Sequence, residues 1–187
     1  MADAFFGDGL IFEDSLPIAF AMGPPMSQAL LARLNADNHQ LLAAEASLDD
    51  MRIHEALKDE SQALLHELQR LEFKLNVLLR LTADLARRNN SLPAANWVRF
   101  SATALEWSGA DAPAVGSSGV IDLYINPTLP QPLKLPVNVV GDVQSPLHGA
   151  AAQMQFTGLS APVVDLIEKL IFRHHRRLIA GSRLGAT

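Results

Sequence analysis

From position 57 to position 85 leucine returns at every seventh residue, as Leu57, Leu64, Leu71, Leu78 and Leu85. Three residues ahead of each of the last four stand Ser61, Leu68, Leu75 and Thr82. This is the a/d stripe of a coiled coil, held over about four heptads. No Pro or Gly interrupts the chain between Ala29 and Pro93. A helix from about Leu48 to Arg88 would measure roughly 60 Å at 1.5 Å per residue, too long for the core of an ordinary domain. Beside the seam, Leu65 and Leu79 fall at e and Leu81 at g, among the charged Glu60, Glu67, Glu72 and Lys74. That apolar arc is wider than one partner helix covers. Either several copies associate through it, or the preceding helix folds back along it within one chain. Leu at both a and d does not by itself set the number of strands.

The pattern ahead of the stem differs. Leu10 to Phe20 reads as extended, with Asp14-Ser15 and Pro17 as local breaks and Gly23-Pro24-Pro25 as its end. Ser27 is an N-cap for a first helix to about Ala46, with Leu30, Leu31, Leu34, Leu41 and Leu42 on one side. Leu34, Leu41 and Leu48 keep a spacing of seven, but Leu48 to Leu57 is nine. Ser47 followed by Asp50 therefore reads as a fresh helix start. Arg87-Arg88-Asn89-Asn90 and Pro93 close the long helix, the cations favouring its last turn.

From Trp97 the period shortens. Trp97 to Trp107 is extended and bent near Ser101, Gly109 to Gly119 is a small-residue loop, and Val120 to Ile125 is β-rich. Leu133, Leu135, Val137 and Val139 alternate with Lys134 and Asn138, while Pro136 inside that run argues for an edge or a bulge. Gly149 to Phe156 makes a further strand, paired with the previous one as a hairpin across Gly141 to His148. Ser160 caps a last helix, Pro162 sits in its first turn, and Val163, Leu166, Ile167, Leu170, Ile171 and Leu178 form one apolar face. Short antiparallel strands and one closing helix suggest a small barrel, hence an α+β chain.

Composition narrows the function. The 187 residues are 49% hydrophobic and 19% charged, which fits a folded chain. A net charge of −5 gives no basic face for nucleic acid. With no cysteine, disulfides and thiolate zinc sites are excluded, which fits a cytoplasmic protein. The acidic start, without a basic residue before Arg33, predicts no signal peptide, and no run of apolar residues is long enough to insert in a membrane.

Candidate chemistry is sparse. The phosphate-loop, serine-hydrolase and zinc-protease patterns are missing, so no catalytic residue, no metal and no cofactor are expected. His174 and His175 are adjacent, point about 100° apart on a helix and make a poor ligand pair. His54 extends the a series one heptad before Ser61, as a polar register device or a pH-sensitive position, and His66 also falls on the stem. Asp49-Asp50 and Asp59-Glu60 read as a helix start and a solvated face.

Four stretches carry a resemblance: Val98-Arg99-Phe100-Ser101-Ala102-Thr103-Ala104-Leu105, Pro132 to Val140, Met154 to Ser160, and Ile171-Phe172-Arg173-His174-His175-Arg176-Arg177. In order and spacing they resemble the PilZ domain family, and the whole chain is similar to an atypical, tetramer-forming branch of it with a long heptad helix. The resemblance implies a six-stranded barrel with Leu10 to Phe20 as one strand. Residues 1–25 would supply the first strand region, 26–90 the inserted helices and coiled-coil stem, and 91–187 the rest of the barrel and the C-terminal helix. It also implies a homotetramer held by Leu57, Ser61, Leu64, Leu68, Leu71, Leu75, Leu78, Thr82 and Leu85, acting in cyclic di-GMP signalling or motility and virulence control through an unknown protein partner.

Typical members grip cyclic di-GMP with Arg-x-x-x-Arg ahead of the first barrel strand and with Asp/Asn-x-Ser-x-x-Gly after the second. Guanidinium groups pair with phosphate and stack on guanine, and glycine admits the ligand to the backbone. This sequence has no arginine in residues 1–32. Arg99 stands for the Asp/Asn, Ser101 is kept and Ala104 stands for Gly. The expectation is therefore an adaptor without standard cyclic di-GMP binding. The alternative is a receptor with a non-standard site of Arg87, Arg88, Arg99 and Ser101. Plainer readings exist for each: a helix-ending basic pair for Arg87 and Arg88, a turn hydroxyl for Ser101, and a solvated basic last turn for Arg173 and Arg177.

Overall fold

The computed structural model describes residues 5–7, 9–53, 70–71, 73–75, 77–78, 81–82, 85, 92–126, 129, 131–145 and 147–184. Its centre is a closed barrel of six antiparallel strands in the order β1-β2-β3-β6-β5-β4. Strand β1, Phe12–Met22, pairs with β2, Ala95–Phe100, over its first half and with β4, Ser118–Leu123, over its second. Pro17 lies at the changeover. Its carbonyl accepts from the Tyr124 N–H at 3.0 Å, and its missing N–H falls where one ladder gives way to the next. The strand therefore runs through Pro17 instead of breaking there.

Strands β2 and β3, Ala104–Ser108, form a hairpin turned at Ser101, the predicted bend. In β5, Leu133–Ser145, the alternation holds: Leu133, Leu135, Val137 and Val139 are buried, Lys134 and Asn138 exposed. Pro136 marks neither an edge nor a bulge. It is buried opposite Val120, at the point where pairing with β6, Gly149–Phe156, ends; beyond it the Thr157 N–H donates to its carbonyl at 2.9 Å. The irregularity falls instead between Val139 and Gly141. The expected loop from Gly141 to His148 is mostly strand, since β5 runs on to Ser145 before the chain reverses.

Inward residues of every strand meet in one core, with Val98, Phe100, Leu105, Trp107, Ile121, Leu123, Leu133, Leu135 and Met154 fully buried. Burying each large aliphatic side chain contributes about 1.5–3 kcal/mol, so this packing sustains the barrel. Helix α2, Ala161–Leu184, adds Val163, Ile167, Leu170 and Ile171 to that core. Leu178, expected on this face, is exposed, because by then the helix has passed beyond the barrel core.

Helix α1, Gln28–Ile53, starts at Ser27, whose hydroxyl accepts from the Leu30 N–H at 3.4 Å. It does not stop at Ala46. Ser47 turns its hydroxyl back onto the Ala43 carbonyl at 3.0 Å, so it sits inside the helix and starts no new one. Leu34, Leu41 and Leu42 are buried, whereas Leu30 is exposed. The same side carries polar anchors. Asn38 both donates to the Lys134 carbonyl, at 2.7 Å, and accepts its N–H, at 3.0 Å. Asn35 bonds the Gly158 carbonyl and the Ser160 N–H at 2.8 Å each. These contacts spend the buried face of α1 on the barrel and α2.

Candidate functional site

The residues that the sequence singles out fall in two regions: the outer barrel face around Arg99, and the stem. On the first, Arg99 of β2 meets Glu106 of β3 at 3.0 Å through Nη1 and Glu13 of β1 at 3.6 Å through Nε. Glu106 is almost wholly buried, and its second oxygen accepts from Gln153 Nε2 at 2.9 Å. The guanidinium lies 5.2 Å from the Phe6 ring and 5.9 Å from that of Trp97. Trp97 Nε1 donates to Glu13 at 3.3 Å, and its ring stacks on His148 at 4.1 Å. One cation thus stands between two carboxylates under an aromatic cover. A phosphate approaching it meets both acids and must break a charge-assisted bond.

Ser101 is also occupied. Its hydroxyl accepts from the N–H groups of Thr103 and Ala104, at 3.2 Å each, and closes the β2–β3 turn. Arg99 and Ser101 therefore lie on one strand end but are engaged by different neighbours. Arg87 and Arg88 lie outside the described residues, as do His54 and His66. Arg173 and Arg177 do not form a solvated last turn. Helix α2 continues past them, and both reach the almost fully buried Glu45 of α1, Arg177 at 3.5 Å.

His174 stacks on Phe12 of β1 at 3.8 Å. Burial holds its pKa below the ordinary histidine range; Asp14 and a hydrogen bond with the Glu13 backbone oppose this, and Arg177 and His175 add to it. Among the described residues no group of three or more His, Asp or Glu side chains is placed to hold a metal. None of their helices is long and apolar enough to cross a membrane.

In the stem, Leu57, Ser61, Leu64 and Leu68 lie outside the described residues. Leu71, Leu75, Leu78, Thr82 and Leu85 are helical and exposed. Exposure of the described stem hydrophobics runs from 39% at Val77 to 69% at Phe73, with Leu81 among them. Phe73 and Val77 are one helical turn apart at f and c, outside the heptad seam. The a/d periodicity does not include them. Glu13, Glu106 and Phe6, the surroundings of Arg99, carry no local signal either, since strand register brings them together from distant segments.

Comparison with known proteins bears on this geometry. A family model described as "Atypical PilZ domain, cyclic di-GMP receptor" matches residues 42–184. The chain belongs to the atypical PilZ family. A PilZ crystal structure of a pathogenic protein from Xanthomonas campestris, described as tetrameric and self-assembled through an unusual helical bundle, superposes with a TM-score of 0.74. Identity is 27%, over 94% of this PilZ chain and 93% of that one. No curated protein matches. The family match begins inside α1, yet the PilZ barrel here closes only with β1, which lies ahead of it.

Proposed function

We propose that this PilZ chain is a non-enzymatic cytoplasmic adaptor. It self-associates through the coiled-coil stem, as a homotetramer, and displays its barrels for contact with a protein partner in cyclic di-GMP signalling, motility or virulence control. The observation that carries the reading is the exposure of the described stem leucines. Leu71, Leu75, Leu78 and Leu85 lie exposed on a helix of the single chain, while the buried side of α1 is spent on the barrel and α2. Leucines in that density need cover that one copy does not supply. The helical bundle of the Xanthomonas protein supports four strands. Bundling would raise the local concentration of barrels toward a repeated partner.

The description of the family as a cyclic di-GMP receptor favours a second reading, a receptor with a non-standard site of Arg87, Arg88, Arg99 and Ser101. Against it, Arg99 is held by Glu13 and Glu106, and the Ser101 hydroxyl closes a turn. Titration calorimetry with cyclic di-GMP separates the two. The adaptor reading expects no heat of binding at micromolar nucleotide; micromolar or tighter binding that is lost in Arg99→Ala would replace it with the receptor.

A further inference from the structure

Strand β5 outruns its neighbour. β4 pairs with it only from Leu133 to Asn138. Two bonds finish that side, Gly116 N–H to the Val139 carbonyl and Val139 N–H to the Ser117 carbonyl, at 2.9 Å each. Past the irregularity, Gly141 to Ser145 pair with β6 alone, from Gly141 opposite Gln153 to Ser145 opposite Gly149. Among the described residues nothing hydrogen-bonds the other edge of this stretch.

Proteins blunt such edges with charges, above all lysine, with proline and with bulges; Gly141-Asp142-Val143-Gln144-Ser145 has neither lysine nor proline, and past the irregularity at its start Asp142 is its one charge. The arm is also held in place. The Ser108 hydroxyl reaches the carbonyl oxygens of His148 and Ala150, and the His148 ring stacks on Trp97. A strand already ordered loses little entropy on pairing.

We propose that this edge pairs with the same edge of a second copy, antiparallel and centred on Val143. Another extended backbone satisfies such a row of donors and acceptors as a ladder, in place of water, and the residues select the register. Centred on Val143, Asp142 faces Gln144 of the second copy, Val143 faces Val143, and Gly141 faces Ser145. The exposed Asp142 and Gln144 then share one face, and the half-buried Gly141, Val143 and Ser145 the other. Centring on Asp142 sets two carboxylates against each other. Centring on Gln144 runs Asp142 against Pro146, which has no N–H to give. A slip of one residue mixes the two faces. The contact is isologous, so each Asp142–Gln144 pair occurs twice.

Sedimentation velocity on the full chain, from micromolar to millimolar, tests this with two charge variants. Gln144→Asp opposes two carboxylates twice, and Gln144→Lys sets an ammonium against Asp142 twice. The expected result is a concentration-dependent doubling of mass. It weakens by about tenfold in Gln144→Asp and tightens by about tenfold in Gln144→Lys. In the Leu71→Asp, Leu78→Asp background the same step takes one chain to two, which separates the edge from the stem. The proposal is overturned if mass does not rise with concentration, if the two variants move association the same way or not at all, or if the edge takes only a strand from another protein.

Discussion

His174 shows how one residue ties protonation to packing. Its ring lies against Phe12, and its buried Nε2 has no hydrogen-bond partner. Burial holds the pKa down, so the neutral ring is the form the fold keeps, with Asp14 of β1 opposing and Arg177 and His175 of α2 reinforcing the shift. A depressed folded pKa contributes stability in full above the ordinary histidine value of about 6.5. That contribution is lost as pH falls from there through the folded value. His174→Phe keeps the stack and removes the titration. Thermal melts between pH 8 and pH 5 should show the variant gaining on the parent as pH falls; a constant difference would refute the assignment. Glu45 is the other residue of this kind. Glu45→Ala leaves Arg173 half-buried without that carboxylate and should cost about 3–5 kcal/mol in denaturant unfolding.

Elements here are joined at positions that periodicity does not mark. Gly158, between β6 and α2, has φ of +68°, and a Cβ there would lie 2.9 Å from the Leu31 side chain of α1. Gly158→Ala combines about 1–2 kcal/mol of backbone cost with that clash. It should lower the urea midpoint more than an exposed Gly→Ala elsewhere, such as Gly9→Ala, where nothing lies within 4 Å. Strand alternation was legible where the barrel buries one face of a strand, as with Leu133, Leu135, Val137 and Val139 against the exposed Lys134 and Asn138; β3, buried along its whole length, gives no such signal. The continuity of α1 through Ser47 was not. A serine that caps a helix and one that bonds its own preceding turn look alike in sequence, and only the helix path decides between them. The buried side of α1 was half legible, since Asn38 and Glu45 are polar and declare themselves only through Lys134 and Arg173.

At the scale of the molecule, the described stem leucines Leu71, Leu75, Leu78 and Leu85 are exposed, which is what the proposed self-association would cover. Leu71→Asp with Leu78→Asp puts charge into the seam and should reduce the mass in light scattering to that of one chain. The barrel does not draw on those side chains, so its near-ultraviolet signal from Trp97 and Trp107 should persist. An unchanged mass would mean that the seam is covered within the chain. The surroundings of Arg99 belong to this scale too. They draw Phe6, Glu13, Glu106 and Gln153 from four separate segments, and the register of β1, β2, β3 and β6 sets Glu13, Arg99, Glu106 and Gln153 side by side.

The order of residues by itself determined the heptad stripe, the alternating strands and the loss of the ligand motifs, because each is a local spacing that any fold of the chain must carry. Tertiary structure alone decided that Arg99 is shared between two carboxylates, that Arg173 and Arg177 serve Glu45, and that β5 extends beyond β4. Those facts depend on which strands lie side by side and in what register. Backbone pairing across the closed barrel sets both.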